Sequence, residues 1–308
     1  MTKRSYIPGD EWLYYKIYCG VKTTDEIIPQ VVLPISILLK ENNIIDKWFF
    51  IRYADPDLHL RVRFHFSKIN DIGIIMHEVN NKLQSYVDSN KIWKVMFDTY
   101  HREIERYHPK LITHTEDLFW IDSETAASFL DSIDGDEGEK IRWMFAFKSI
   151  DAILSDFGLT LDQKLVFMEK NRNPFADEFG MNKNLKLQLD QKYRGVSTDI
   201  QLIMNLNKEN AGEYLSLVEL LEQRTNRIIK IVTDIKKIES LDKSIDTLNL
   251  LSSYVHMLMN RIFRSKQRMH EMVVYDFLYR HYKSTIAREK SNEKKLLELD
   301  SNKKSVLL

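Results

Sequence analysis

The chain has 308 residues, enough for one large domain or two ordinary ones and for a sizeable core. Its 45 Lys and Arg cancel 45 Asp and Glu to a formal net charge of +0, which excludes a grip on nucleic acid or anionic membrane by bulk charge. A single cysteine, Cys19, excludes a disulfide framework and a Cys-based zinc site.

The N-terminus "MTKRSYIPGDEW" has no apolar signal core. "EWLYYKIYCG" (Glu11 to Gly20) is aromatic-rich, ends at glycine and reads as a strand, with Cys19 as a buried, inert thiol. "TTDEIIPQVVLPISILLKENN" follows, a helix that Thr24 or Asp25 would cap, against the opposition of Pro29 and Pro34. The apolar run inside it, Ile27 to Leu39, is shorter than the ~18 residues a membrane span needs. No membrane insertion is expected, and the expected compartment is the cytoplasm. "KWFFIRYADPD" (Lys47 to Asp57) is a strand ending in turn chemistry, and "LHLRVRFHF" completes a hairpin with it. In "INDIGIIMHEVNNKLQSYVDSN", Ile74, Ile75, Val79, Leu83 and Val87 recur at helical spacing. "KIWKVMFDTYHREIERY" (Lys91 to Tyr107) reads as one long strand. The order strand, helix, hairpin, helix, strand predicts a ferredoxin-like βαββαβ antiparallel sheet over 1–110.

Beyond Pro109 the chain reads as helical, at 115–133, 137–156, 160–174, 207–236, 242–264 and 269–288, with 171–184 as a connection. The expected class is therefore α+β. Residues 111–288 form the helical part of the same domain, and the charged stretch 289–308 is a flexible tail.

Three constellations carry chemistry. On the strand "HLRVRFH", Leu60, Val62 and Phe64 face one way and His59, Arg61, Arg63 and His65 the other. The Arg61 and Arg63 Cα atoms then lie ~7 Å apart on one face, where two guanidinium forks can hold an oxyanion. A solvated face with paired arginines is the plainer reading. "YHREIERY" puts Arg102, Ile104 and Arg106 on one strand face and Glu103 and Glu105 on the other. If its end leaves the strand, Glu103 and Arg106 meet instead. "SYVHMLMNRIF" lies on a helix whose polar stripe is Asn249, Ser253, His256 and Asn260, where His256 is an oriented acid or base or a satisfied core histidine. The other histidines are scattered without ligand spacing. No metal, nucleotide or flavin cofactor is implied.

Together "WFFIRYADPDLHLRVRF", "YHREIERYHPKLITHTEDLFWIDSE", "SYVHMLMNRIF" and "YDFLYRHY" resemble, in order from about Trp12 to Tyr282, the C-terminal domain of class I lantibiotic dehydratases. The same domain type occurs alone in lanthipeptide and thiopeptide gene clusters. The resemblance implies elimination of glutamate from glutamylated Ser or Thr of a ribosomal precursor peptide, giving dehydroalanine or dehydrobutyrine. It implies a stand-alone protein whose partner is a separate glutamyl-tRNA-dependent glutamylating domain, with no direct contact to nucleic acid. It assigns Arg63 and Arg106 to glutamate binding and charge stabilisation, Arg61 to their support, Glu103 to orienting an arginine and His256 to proton transfer.

Two other roles compete. Thiopeptide relatives join two dehydroalanines in a pyridine-forming aza-cycloaddition and need not keep these residues, so their presence favours elimination. A non-catalytic adapter would hold the precursor peptide or a partner, for instance along a free sheet edge. The sequence departs from the family pattern at Tyr107-His108-Pro109, where Tyr-Gly-Gly is usual, which alters the turn at the mouth of the site.

Overall fold

The computed structural model describes residues 2–133, 137–180 and 182–305. A short strand β1 (Ser5–Tyr6) precedes β2 (Trp12–Cys19), whose aromatic and β-branched residues are almost all buried. α1 (Val21–Ile27), a π-helical stretch at Ile28–Val32 and α2 (Leu33–Glu41) then form one continuous helical run. Pro29 falls in the π-helical stretch, where the wider turn accommodates its missing N–H. The cap is Gly20 and not Thr24 or Asp25. The Thr24 hydroxyl donates back to the Gly20 carbonyl, and Asp25 is taken up by arginines.

β3 (Lys47–Tyr53) and β4 (His59–His65) form the hairpin, and α3 (Ile72–Asp88) leads to β5 (Ile92–Phe97). The sheet order is β3-β4-β2-β5 with every neighbour antiparallel, the order of a split βαβ pair. Val62 and Phe64 join Tyr15 and Ile17 on one face, against Val31, Val32 and Ile35 of the first helical run and Val79 and Leu83 of α3. This apolar face is what the alternation in β4 specifies, because a one-residue slip would bury its arginines in the helix layer.

The segment 91–107 is not one strand. β5 stops at Phe97, where the Asp98 carboxylate accepts the Thr99 N–H at 2.7 Å and turns the chain. β6 (Tyr100–His101) pairs with β1, and α4 (Ile104–Tyr107) is a single helical turn. Arg102 and Arg106 therefore do not share a strand face. Arg102 makes a two-pronged pair with Glu116 at 2.7 and 2.6 Å, buried against α5 (Ile112–Asp131), while Arg106 turns elsewhere.

The helices continue as α6 (Glu137–Asp156), α7 (Leu161–Glu178), α8 (Lys183–Met204), α9 (Leu215–Leu241), α10 (Thr247–Ile262) and α11 (Gln267–Ser305). α7 carries Pro174 inside it and ends beyond the expected boundary. α8 is absent from the periodicity reading, since Leu185, Leu187 and Leu189 alternate and blur the helical period. α11 carries helical backbone through 289–305, a stretch rich in Lys, Glu and Leu, all good helix formers. No helix among the described residues is long and apolar enough to cross a membrane.

The helical part closes one edge of the sheet. The Phe50 N–H donates to Ser123 Oγ of α5 at 3.2 Å. The Asn260 amide of α10 accepts from the Arg52 N–H and donates to the Arg52 carbonyl, both at 2.8 Å. One side-chain amide thus stands in for a neighbouring strand and satisfies groups that an open edge would leave bare.

Candidate active site

The polar face of β4 is not a solvated one. Register places Arg63 between Tyr14 of β2 and Phe49 of β3, and its guanidinium lies over the Tyr14, Tyr100 and Phe49 rings at 4.2, 4.8 and 5.1 Å. Only 6 % of Arg63 is exposed, and its Nε and Nη1 meet no acceptor. Each such orphan costs ~1–3 kcal/mol when buried. Burial pushes its pKa below the usual arginine range; the ionisable Tyr14 and Tyr100 and the Glu103 carboxylate favour the charged form, and the Arg61 charge opposes it. The result is a guanidinium held in an aromatic cage with two buried donors that have no partner among the described residues, the group type that pairs with an oxyanion.

Arg61, two residues away, turns aside. Its guanidinium stacks on Tyr53 at 3.4 Å and its Nε donates to His59 Nε2 at 3.0 Å. Arg61 and Arg63 share a strand face without gripping one point.

The turn α4 supplies the second arginine. Because the chain leaves the strand, Arg106 Nη1 reaches Glu103 Oε2 at 3.4 Å, and Arg106 Nε donates to Ser253 Oγ of α10 at 3.0 Å. Both Arg106 and Glu103 are well exposed, so the ion pair itself contributes only ~0–1 kcal/mol. Its consequence is aim, since Glu103 and Ser253 together fix the direction of the guanidinium.

On α10 the polar stripe is real, and each member has a partner. Asn249 accepts from Lys170, Ser253 accepts from Arg106 and Asn260 holds Arg52. His256 Nδ1 lies 2.7 Å from Glu271 Oε1 of α11, and that carboxylate is buried while the imidazole is partly exposed. With the Nδ1 proton donated to Glu271, Nε2 carries the lone pair and is free to take a proton. The described contacts of His256 run to α11 and not to the arginines. It stands one turn along α10 from Ser253, the residue Arg106 touches.

Sequence reasoning missed four supporting residues. Glu271 and the cage ring Tyr14 leave no motif, and only a known register would have found Tyr14. Ser123 accepts from Arg261 Nε at 3.0 Å as well as from the Phe50 N–H, tying α5, α10 and β3 together. Arg261 follows Asn260 directly and is wholly buried, with Nη1 and Nη2 unpartnered; burial pushes its pKa down to about 10.

A family model described as the C-terminal part of lantibiotic biosynthesis dehydratases matches residues 12–282. The chain is similar to the subtilin biosynthesis protein SpaB of Bacillus subtilis, 25% identical over 280 residues, which are 89% of this chain and 26% of that protein. It is 26% identical over 136 residues to the nisin biosynthesis protein NisB of Lactococcus lactis subsp. lactis, covering 42% of this chain and 13% of that one. The chain thus spans about a quarter or less of these relatives. Among solved structures it is similar to the tRNA dependent lantibiotic dehydratase MibB from Microbispora sp. 107891, with TM-score 0.68 and 19% identity over 92% of this chain and 29% of MibB. It is also similar to the pyridine synthase TbtD from thiomuracin biosynthesis, with TM-score 0.56 and 10% identity over 89% of this chain and 99% of TbtD. At these identities the structural likeness is one of fold.

Proposed function

The chain belongs to the lantibiotic biosynthesis dehydratase C-terminal family, and from that premise we propose that it eliminates glutamate from glutamylated Ser or Thr of a precursor peptide. The observation that supports the reading is the caged guanidinium of Arg63, with Nε and Nη1 unpartnered among the described residues, and the Glu103 carboxylate, which acts on the Arg63 charge and also holds Arg106. Elimination removes a Cα proton and expels a carboxylate from Cβ, leaving dehydroalanine or dehydrobutyrine. The enolate-like state needs preorganised positive charge, and the departing glutamate carries carboxylates that guanidinium forks hold well. Arg63 and Arg106 take these two tasks. Arg61 supports Arg63 from the same strand, and His256, oriented by Glu271, moves the proton. The glutamyl ester comes from a glutamylating activity outside these residues.

Pyridine-forming cycloaddition is the competing reading, favoured by a fold likeness that spans nearly all of TbtD. Two substrates separate the readings. Incubated with a glutamylated Ser/Thr peptide, the protein is expected to release glutamate and leave a peptide one water lighter than the unmodified precursor. Incubated with a peptide holding two dehydroalanines, it is expected to do nothing. Pyridine formation in the second arm with no glutamate release in the first would reverse the assignment.

A further inference from the structure

A second cationic site lies outside the elimination machinery. Between the β3–β4 turn and the turn from α10 to α11 is a pocket of about 110 Å³, lined by Arg52, His59, Arg264 and Lys266 among others. No acidic side chain lines it among the described residues. Asp25 stands behind, accepting from Arg52 Nη2 at 2.5 Å, from Arg142 Nη2 at 2.7 Å and from Arg264 Nε at 2.5 Å. Burial pushes the Asp25 pKa up, but Arg52, Arg142 and Arg264 outweigh it and hold the carboxyl below its usual range. Glu139 is the second acid, shared between Arg142 at 3.5 Å and Arg264 at 3.2 Å. Asp25 and Glu139 therefore face three guanidiniums, while Lys266 lines the pocket and Asp57 acts on His59 from the β3–β4 turn.

The orphan atom decides what is missing. Arg52 is only 5 % exposed, its Nε donates to the Arg261 carbonyl, and its Nη1 has no partner among the described residues. A buried guanidinium N–H without an acceptor is costly, and one beside two further cations in an acid-free pocket calls for an anion. At about 110 Å³ the pocket is small, with room for a carboxylate or phosphate head.

We propose that this pocket binds a small oxyanion, a carboxylate or a phosphate, between Arg52, Arg264 and Lys266. His59 links it to the candidate active site. Its Nδ1–H donates to the Asp57 carbonyl at 2.7 Å, and its Nε2 accepts from Arg61. The site does not depend on the elimination reading.

Calorimetric titration of the full chain with sodium glutamate and with inorganic phosphate tests it. Saturable binding is expected for at least one probe, and the tighter one identifies the source of the oxyanion. Lys266→Glu, an exposed change that leaves the Asp25 cluster intact, and Arg264→Gln/Lys266→Gln should each weaken that binding by ~10-fold or more. Arg106→Ala should leave it unchanged. No saturable binding of either probe up to the order of 10 mM, or binding lost in Arg106→Ala and kept in the pocket variants, would overturn the proposal. Elimination activity is scored separately, so failure of either idea leaves the other standing.

Discussion

Arg63 pits stability against function within one side chain. Its two orphan nitrogens sit among Tyr14, Phe49 and Tyr100, where an apolar side chain of similar length would lie more comfortably. Arg63→Met is therefore expected to raise the unfolding free energy by ~1–3 kcal/mol while abolishing elimination. Urea denaturation beside a turnover assay checks both, and a destabilised Arg63→Met would mean that the guanidinium is structural. His256 and Glu271 divide labour differently. On the proposed reading the imidazole carries the proton, so His256→Ala should slow elimination by ~10²–10⁴-fold. Glu271→Gln keeps the packing but can place its amide N–H against Nδ1, forcing the other tautomer, so it too should cut the rate without changing peptide affinity. His108 is a residue whose cost shows in its backbone. Its φ of 64° lies in the left-handed range that favours glycine. His108→Gly should stabilise the fold by ~1 kcal/mol in thermal or urea unfolding; a loss of stability would mean that its weak contact with Ser244 outweighs the strain.

At the scale of elements, the hinge of the site is the edge of β3. Asn260 and Ser123 replace the strand that β3 lacks, so α10, which carries His256 and the Arg106 contact, and α5 are pinned to the sheet by side-chain hydrogen bonds to the β3 backbone. Asn260→Leu leaves both the N–H and the carbonyl of Arg52 unpaired and should cost ~2–5 kcal/mol in urea denaturation. Asn260→Asp, which keeps only the acceptor, should cost less than Asn260→Leu. Near-wild-type stability of both variants would contradict this pinning. β2, the β3–β4 hairpin and α3 were legible because alternation and helical spacing are local patterns that burial enforces, whereas the two-residue β1 was too short to leave a pattern. The break at Asp98 was not, since the apolar and aromatic pattern of 91–107 continues through a turn made by a single carboxylate. α8 was missed because three alternating leucines imitate a strand. The candidate residues lay in quotable motifs, but their assembly depended on α4 being a helical turn. The cage of Arg63 depended on cross-strand register, and neither is written locally.

Across the whole molecule, buried histidines set an acid limit. Burial chiefly holds His270 and His281 below the usual histidine pKa. Their neutral forms are favoured in the fold, so their contribution is complete above the unfolded value of ~6.5 and is lost as pH falls through it toward the folded values. Asp25, also depressed, contributes above the unfolded carboxylate value of ~3.9 and loses its part only below that range. The urea midpoint is thus expected to decline between about pH 7 and 5. His270→Phe should flatten part of the decline, because it keeps the stack on Phe263, 4.1 Å between ring centroids, and cannot take a proton. An unchanged slope in that variant would remove His270 from the explanation. The proposal that Arg63 of the sheet, Arg106 of α4 and His256 of α10 act in one reaction is the claim on which the functional reading stands. Its most direct measurement is quenched-flow mass spectrometry of a glutamylated Ser/Thr peptide with the wild-type chain, Arg63→Met, Arg106→Ala and His256→Ala, each shown to be folded. Wild type is expected to convert the ester to the dehydrated peptide while all three variants leave it glutamylated. Conversion at wild-type rates by any of the three, or a persistent ester with folded wild type, would contradict the account.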